Sequence, residues 1–197
     1  MKLIIASNNA HKVAEIREIL SADFPEMCTL KEAGLNIDVV EDGATFAENA
    51  AKKAEEVLSA SGFPAALADD SGLMVDALDG APGVFSARYA GEGHDDGANN
   101  AKLMHDMADV PDVRRTCRFV SAIALARKNR PTLVVTGCCD GLLLREPRGC
   151  NGFGYDPYFL YEPLGKSFAE LSAEEKNSVS HRRRALELLR AGLQRER

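Results

Sequence analysis

The chain has 197 residues, of which 45% are hydrophobic and 27% charged, and this composition indicates one globular domain rather than a disordered or collagen-like chain. Its formal net charge of −6 disfavours a protein that holds nucleic acid through phosphate contacts, although a small anionic ligand needs only a few local cations. No apolar run approaches the roughly 18 residues of a membrane span, and five cysteines without a CxxC pair argue against a disulfide framework or a zinc ribbon and favour the reducing cytoplasm.

The first 70 residues alternate apolar runs with amphipathic stretches, which is the pattern of an α/β architecture. The apolar run at the N-terminus turns polar at Ser7, too early for a signal peptide. Thr45 and Glu48 have the spacing of a capping box, in which each side chain accepts from the other residue's backbone N–H. The predicted elements of this part are strand 2–6, helix 12–20, strand 38–40, a helix from residue 45 to about 59, and strand 65–68, which ends at two acids and a glycine turn.

The rest of the chain predicts further strands and helices, with no repeat, low-complexity tract or linker that would divide residues 1–197 into separate domains. Ser172 and Glu175 form a second capping-box pattern. The predicted elements are a turn over 79–83 flanked by 73–78 and 84–89, a loop over 91–100, a helix over 101–107, a hairpin of strands 118–126 and 132–138, a glycine loop over 149–154, and a closing helix around 186–193.

A polar segment separates the first predicted strand from the first predicted helix. Backbone N–H groups at the start of a helix lack partners and the helix dipole is positive there, so such a segment attracts anions. A hydroxyl, two amides and a lysine add donors suited to phosphate oxygens, while the alternative is a solvated polar loop without a ligand. The residues concerned are Ser7, Asn8, Asn9, Ala10, His11 and Lys12.

Three carboxylates form the second candidate set. Glu41, Asp69 and Asp70 offer the hard oxygen ligands that suit Mg²⁺, which usually takes one or two protein carboxylates together with waters and substrate phosphates. Asp69 and Asp70 are followed by Ser71 and a glycine, so this segment is equally typical of a turn in which Asp and Ser cap local amides. Lys53, on the second helix, either neutralises phosphate or lies on the solvated face of that helix.

Two later segments carry groups suited to a planar base. Aromatic rings and a carboxylate after glycines can stack on a base and hydrogen-bond to it, while the alternative is a loop entering a strand with both rings in the core. Donors at a helix start can bind the carbonyl oxygens of a base, while the alternative is a solvated basic patch. The first segment consists of Phe153, Gly154, Tyr155 and Asp156, and the second of Lys176, His181 and Arg182.

Six of these short segments occur together in the order found in one enzyme family. In combination they resemble the inosine triphosphate pyrophosphatases, which act on non-standard purine nucleoside triphosphates, and the resemblance extends over nearly the whole chain. The segments are ASNNAHK (6–12), TFAENA (45–50) with Lys53, ADDSGL (68–73), GAPG (80–83) with SARY (86–89), GFGYDP (152–157), and EK (175–176) with SHR (180–182).

The resemblance implies a Mg²⁺-dependent hydrolase that converts ITP, dITP or XTP into the monophosphate and pyrophosphate and so cleanses the nucleotide pool. The implied fold is α/β, an elongated mixed β-sheet flanked by helices and formed into two lobes with a central cleft. Because the family is usually homodimeric, the expected partners are a nucleoside triphosphate and a second copy of the chain, with no nucleic acid and no membrane.

The resemblance also implies roles for individual residues. Mg²⁺ is expected at Glu41 and Asp70, with Asp69 close by, and Asp70 is the expected base that orients or deprotonates the attacking water. Lys12 and Lys53 are expected to hold the triphosphate. The other implied substrate contacts come from Ser7, Asn8, Asn9, Ala10, His11, Ser71, Phe153, Gly154, Tyr155, Asp156, Lys176, His181 and Arg182.

Selectivity is expected from donors that face the C6 oxygen of the base. Lys176, His181 and Arg182 would supply these donors, and the amino group of adenine would offer them no acceptor; mismatches of this kind discriminate roughly 10⁴–10⁵-fold. Two other hypotheses are a Maf-like pyrophosphatase that acts on other modified nucleotides and a nucleotide-binding sensor without catalysis. The presence of both carboxylates and Lys53 argues against the sensor.

Overall fold

A computed structural model describes residues 2–196, which form a mixed α/β fold with helices flanking a seven-stranded sheet. The strand order is β2-β1-β3-β4-β5-β6-β7, with β1 parallel to both β2 and β3, and with β6 antiparallel to β5 and β7. The expected α/β class is therefore confirmed. The helices are α1 Ala10–Leu20, α2 Phe46–Ser61, α3 Asp96–Asp106, α4 Ala173–Val179 and α5 His181–Arg195, and the strands are β1 Leu3–Ile5, β2 Met27–Thr29, β3 Ala65–Val75, β4 Thr116–Arg127, β5 Arg130–Leu143, β6 Phe159–Tyr161 and β7 Lys166–Ser167.

The chain forms two compact units, each with its own core. Unit 1 comprises the chain up to Asp70, Ser121–Gly137 and the chain from His181 onward, and unit 2 comprises Ser71–Val120 and Cys138–Ser180. In unit 1 the apolar faces of α1 and α5 bury aliphatic side chains against β1, β3 and β4. The core of unit 2 contains a group of aromatic rings, with those of Phe119, Phe159 and Phe168 4.6–5.7 Å apart. Within residues 2–196, no helix combines the length and the apolar character that a membrane span requires.

The two capping boxes and the hairpin predicted from the sequence are confirmed. Thr45 Oγ1 accepts from Glu48 N while Glu48 accepts from Thr45 N, so α2 begins with a complete capping box, and Ser172 and Glu175 form another at α4. Strands β4 and β5 are neighbours joined by two residues, the second of which, Asn129, has a φ of 60°. Short polar residues tolerate this left-handed conformation, which explains the predicted hairpin.

The predicted end of the third strand at residue 68 is wrong, because β3 continues through the two acids and the glycine to Val75. A Cβ at Gly72 would lie 2.2 Å from Ser86 Oγ, which accepts a hydrogen bond from Leu73 N at 2.9 Å. Gly72 is therefore required by a close contact on the strand rather than by a turn. Consequently Asp69 and Asp70 are held by a regular strand and not by a loop.

Two other predicted elements also differ from the structure. Residues 38–40 lie outside the strands, and the helix predicted over 101–107 begins at Asp96, within the predicted loop. The carboxylate of Asp95 accepts from Ala98 N at 3.0 Å and starts α3. The glycine and asparagine residues after Asp95 have low helix propensity, which hid this helix start in the sequence.

Candidate functional site

The N-terminus of α1 follows β1 after a short polar loop in unit 1. Asn9 is the N-cap residue: its Oδ1 accepts from Lys12 N at 3.1 Å, and its own N–H donates to Ser7 Oγ at 3.2 Å. Ser7 is buried. The exposed residues of the segment are Asn8, Asn9, Ala10 and His11. Helix α1 thus begins at Ala10, within the polar segment and two residues before the predicted start at residue 12.

Asp69 is the centre of a buried charged cluster in unit 1. Its carboxylate accepts from Ser121 Oγ at 2.6 Å and from Nε and Nη2 of Arg182 at 3.1 and 3.2 Å. Lys12 Nζ lies 2.9 Å from Asp69 Oδ1, and Arg182 Nη1 pairs with Glu15. The side chains of Asp69 and Arg182 are completely buried. Two cations therefore balance two carboxylates, which is the condition under which buried charges are tolerated.

The pKa of Asp69 indicates the charge state that this cluster maintains. Burial opposes ionisation, but the charges of Arg182 and Lys12 outweigh burial and hold the pKa of Asp69 well below its usual value. In the same way, Asp69 and Glu15 overcome the effect of burial and raise the pKa of Arg182. Asp69 is thus ionised at neutral pH, and both of its oxygens are engaged in positioning the two cations.

Arg182, the expected donor to the base, is surrounded by carboxylates of unit 1 in this structure. The side chain has no exposed surface, and its guanidinium is engaged by Asp69 and Glu15. The next two arginines, Arg183 and Arg184, are progressively more exposed, so a basic run that resembles a solvated patch turns one of its members inward. Arg182 therefore stabilises the ionised carboxylate of Asp69 in this structure.

Asp70 has different neighbours, because successive side chains of a strand point to opposite faces of the sheet. Asn49 of α2 donates from Nδ2 to Asp70 Oδ2 at 3.0 Å, and Asn49 Oδ1 accepts from Gly43 N at 2.7 Å. Burial raises the pKa of Asp70 to about 6; the charge of Lys12 opposes this rise and that of Glu41 adds to it. Asp70 is therefore a buried carboxylate that is close to a second one.

Glu41 and Lys53 form an ion pair, and both side chains are about three-quarters buried. The neighbouring Lys52 instead binds Asp42 at 2.6 Å, on a more exposed side of α2. Lys53 is thus not on the fully solvated face of the helix. The capping box of α2 fixes the helix that brings both an amide and an ammonium group to the carboxylates.

Glu41 and Asp70 are also the carboxylates expected to hold Mg²⁺. Across the described residues 2–196, no three His, Cys, Asp or Glu side chains are grouped so as to hold a metal ion. Mg²⁺ does not require such a group, since it usually takes one or two carboxylates and completes its shell with water and phosphate oxygens. Glu41 is close enough to raise the pKa of Asp70, and a divalent cation would remove this repulsion. The donor set therefore fits Mg²⁺.

The start of α5 is fixed by a close approach to β5 in unit 1. A Cβ at Gly137 would lie 2.3 Å from Ala185 N and 2.4 Å from His181 O. Only glycine allows the helix backbone to come this near to the strand. His181 is consequently buried at the first position of α5, next to Arg182.

Asp156 and Lys176 form a buried ion pair in unit 2. Asp156 Oδ2 accepts from Lys176 Nζ at 2.7 Å and from Phe153 N at 2.9 Å. Lys176 Nζ also lies 4.6 Å from the ring centroid of Phe153. Tyr155 is buried and donates from its hydroxyl to Ser86 O at 2.8 Å, so the core interpretation was right for this ring. Phe153, Asp156 and Lys176 thus form one connected group.

Three residues of unit 1 that support the site were missed as site residues by the sequence analysis. Asn49 and Glu15 lie on helices beside buried positions, and Ser121 lies in the apolar run of β4. A polar side chain within a buried stripe must be hydrogen-bonded, so each interruption of the apolar pattern was a usable signal. Their partners, Asp70, Arg182 and Asp69, are distant in sequence, and no local pattern identifies them.

A cavity of about 480 Å³ lies elsewhere in unit 1, at the C-terminal end of α2 and the tip of the β4–β5 hairpin. Glu55, Arg127 and Lys128 are among the residues that line it, and the lining contains none of the predicted site residues. The buried charges around Asp69 and Asp70 are therefore the stronger indication of chemistry.

Comparisons with known proteins agree with the family resemblance that the sequence segments indicate. The model of the Ham1 family matches residues 3–192. The dITP/XTP pyrophosphatase of Leuconostoc mesenteroides is 51% identical over 192 residues, which cover 96% of this chain and 94% of that protein, and that of Clostridium perfringens is 48% identical, with 98% and 97% covered. The Ham1 protein structure from Staphylococcus aureus is 40% identical over the full length of both chains, with a TM-score of 0.87.

Proposed function

The chain belongs to the Ham1 family, and from this premise we propose that it is a nucleoside triphosphate pyrophosphatase that acts on dITP, XTP and ITP. The observation that carries the proposal is the group of Lys12, Asp70, Glu41 and Lys53 in unit 1, where buried carboxylates and ammonium groups face each other beside a helix N-terminus. Relatives about half identical to this chain are named dITP/XTP pyrophosphatases. No comparison supports the Maf-like alternative.

The triphosphate is proposed to bind at the N-terminus of α1. The first-turn N–H groups and the helix dipole favour an anion there, and Lys12 places its ammonium group beside them. Lys53 is the second cation, and Glu41 holds it in place until substrate arrives. Arg182 fixes Asp69, which in turn positions Lys12.

Mg²⁺ is proposed to be held by Glu41 and Asp70. When bound, the ion would neutralise charge on the phosphate oxygens, which is the main requirement of phosphoryl transfer. Water attacks the α-phosphorus, the bond from this phosphorus to the bridging oxygen breaks, and pyrophosphate leaves with the electron pair of that bond. The proton of the attacking water passes to the carboxylate of Asp70, whose position Asn49 fixes. The products are the nucleoside monophosphate and pyrophosphate.

The base is proposed to bind Phe153 and Lys176 of unit 2. Lys176 donates to the C6 oxygen of hypoxanthine or xanthine, and Asp156 orients its ammonium group. Adenine carries an amino donor at C6, so two donors would face each other and a buried hydrogen bond would be lost. With Arg182 engaged elsewhere, Lys176 carries more of the selectivity than the sequence alone suggested.

A nucleotide panel tests the proposal directly. Steady-state rates with dITP, XTP, ITP, dATP, dGTP, dTTP and dUTP are measured with Mg²⁺ and with EDTA, scoring monophosphate, pyrophosphate and orthophosphate. We expect dITP and XTP to be cleaved at least 100-fold more efficiently than dATP, with pyrophosphate as the product and no turnover in EDTA. Preference for dTTP or dUTP, release of orthophosphate alone, or binding without turnover would each refute the proposed activity.

The family resemblance also implies an oligomeric state and a cellular compartment. We propose that the chain acts as a homodimer and that it works in the cytoplasm. The five cysteines, which form no disulfide, agree with such a reducing compartment. Light scattering on the purified protein should give twice the chain mass of 21.3 kDa. A single-chain mass at micromolar concentration would refute the dimer.

A further inference from the structure

The N-terminal part of α3 contacts the glycine loop that carries Phe153. Asp96 Oδ2 accepts from Gly154 N at 2.8 Å, and Asn100 Nδ2 donates to Gly154 O at 2.9 Å. Asp96 and Asn100 are four residues apart and therefore lie on one face of the helix. Both hydrogen-bonding groups of Gly154 are thus taken by α3, at the residue between Phe153 and Tyr155.

The loop has little conformational preference of its own at this point. Gly152 and Gly154 have φ values of 76° and 61°, in the left-handed region that glycine enters without steric cost. Glycine also has the largest conformational freedom to lose on ordering. The position of the loop is therefore determined by its contacts more than by its backbone, and the two bonds to α3 hold it from one side.

The consequences of this contact extend to the ion pair of unit 2. Phe153 N donates to Asp156 Oδ2, which also accepts from Lys176 Nζ. A shift of Gly154 moves Phe153 and so the N–H that helps to hold Asp156. The chain of contacts runs from α3 through Gly154 and Phe153 to Asp156, and from there to Lys176.

We propose that Asp96 and Asn100 are positioning residues for base recognition, which act by holding both the N–H and the carbonyl of Gly154. This inference rests on the proposed function, since it assigns the loop of Phe153 to the base. Asp96, Asn100 and Gly154 belong to unit 2, whereas the proposed phosphate and metal residues belong to unit 1. Their loss should weaken binding of the base and leave binding of a polyphosphate unchanged.

The isosteric variant Asn100→Asp gives the sharpest test. A carboxylate oxygen would face the carbonyl of Gly154, so an attractive contact becomes a repulsive one without a change in volume. We expect the KM for dITP to rise about tenfold, with kcat within twofold of the wild type. The inhibition constant of inorganic tripolyphosphate, which has no base, should be unchanged.

A second pair of variants separates positioning from folding. Asp96→Ala removes the acceptor for Gly154 N and should raise the KM for dITP as Asn100→Asp does, whereas Asp96→Asn keeps an oxygen acceptor and should stay close to the wild type. His105→Ala, at an exposed position of the same helix, is the matched control and should change neither constant. Thermal unfolding is measured for all four proteins.

The outcomes distinguish the positioning role of Asp96 and Asn100 from the proposed function. An active wild type whose Asn100→Asp and Asp96→Ala variants fold and keep the wild-type KM overturns the positioning role alone. A parallel loss of dITP and tripolyphosphate binding also overturns it, since that is what general disruption would cause. If Asn100→Asp does not fold, the comparison of Asp96→Ala with Asp96→Asn decides. A wild type without dITP hydrolysis overturns the proposed function, and this inference falls with it.

Discussion

The buried charged cluster around Asp69 in unit 1 and the Asp156–Lys176 pair in unit 2 are supported in different ways. In unit 1, Lys12, Asp69 and Arg182 are carried by α1, β3 and α5, which are regular elements that pack around one hydrophobic core. In unit 2, Asp156 follows a glycine loop, and Lys176 lies on the seven-residue helix α4. Rigid elements suit the chemistry of phosphate, where charges must be held in fixed positions. A loop held by a few side-chain contacts suits discrimination between bases.

The charge balance differs as well. Unit 1 holds two adjacent strand carboxylates, of which Asp69 is matched by two cations, while Asp70 is buried near a further acid. The buried ion pair of Asp156 with Lys176 in unit 2 is within hydrogen-bond distance and has one carboxylate and one cation. Asp70, whose pKa is raised by burial, belongs to the first group. Disruption of unit 1 should therefore affect turnover, and disruption of unit 2 should affect the choice of base.

The largest effect is expected at Asp70. Asp70→Asn removes the proposed proton acceptor and metal ligand while keeping shape and the capacity to accept from Asn49, so kcat should fall by about 10²–10⁴-fold. The fold should be retained, because a buried charge close to Glu41 is removed. Pyrophosphate release from dITP and the thermal unfolding midpoint measure the two effects. Near-normal kcat would exclude Asp70 from both roles.

Arg182 is expected to affect stability more than selectivity. Arg182→Met leaves Asp69 and Glu15 buried without their shared cation, which should lower the free energy of unfolding by about 3 kcal/mol. Arg183→Met, which breaks an exposed pair with Glu187 on the same helix, is the control and should cost less than about 0.5 kcal/mol. Urea unfolding of both variants gives the comparison. A stable Arg182→Met protein with a reduced preference for dITP over dATP would instead support Arg182 as a donor to the base.

The same pair of variants has a predictable pH dependence. The pKa of Asp69 is lowered in the folded state, so its ionisation stabilises the fold above the unfolded pKa of about 3.9 and ceases to do so as pH falls through the folded value. The stability gap between Arg182→Met and Arg183→Met should therefore be full at pH 7 and shrink below about pH 4. A gap that stays constant in acid would mean that packing, rather than charge, causes the loss.

The sequence predicted the elements of unit 1 better than the contacts between them. Capping boxes and apolar periodicity are local signals, and they located α1 and α2 to within two residues. Gly72 was misinterpreted as part of a turn, because the residue whose close contact requires glycine there, Ser86, is 14 positions away in the sequence. The partners of Arg182 are 113 and 167 residues away. Helix periodicity places a side chain on a face, but it does not identify what that face contacts.

A smaller effect, and one confined to substrate choice, is expected at Lys176. Lys176→Met removes the proposed donor to the C6 oxygen and the partner of Asp156, so the KM for dITP should rise about 10- to 100-fold and the preference over dATP should narrow. Lys166→Met, which breaks an exposed pair with Glu175, is the matched control. An equal fall in kcat for dITP and dATP, without a change in their ratio, would contradict a role in base choice.

The smallest effects come from the two capping boxes, and they compare the two units with one chemical change. Thr45→Ala and Ser172→Ala each remove the side chain that caps a helix, so each should lower the free energy of unfolding by about 1 kcal/mol. The cap of α2 supports Asn49 and Lys53.

Because α4 instead carries Lys176, the consequences for function should diverge. Thr45→Ala should lower kcat about two- to fivefold, and Ser172→Ala should raise the KM for dITP by a similar factor, since fraying of a first turn displaces neighbouring groups without removing them. Urea unfolding confirms that the two losses of stability match. If both variants then change kcat and KM in the same proportion, the assignment of turnover to unit 1 and of base choice to unit 2 is wrong. In that case, equal destabilisation of two different helices would have produced the same kinetic defect.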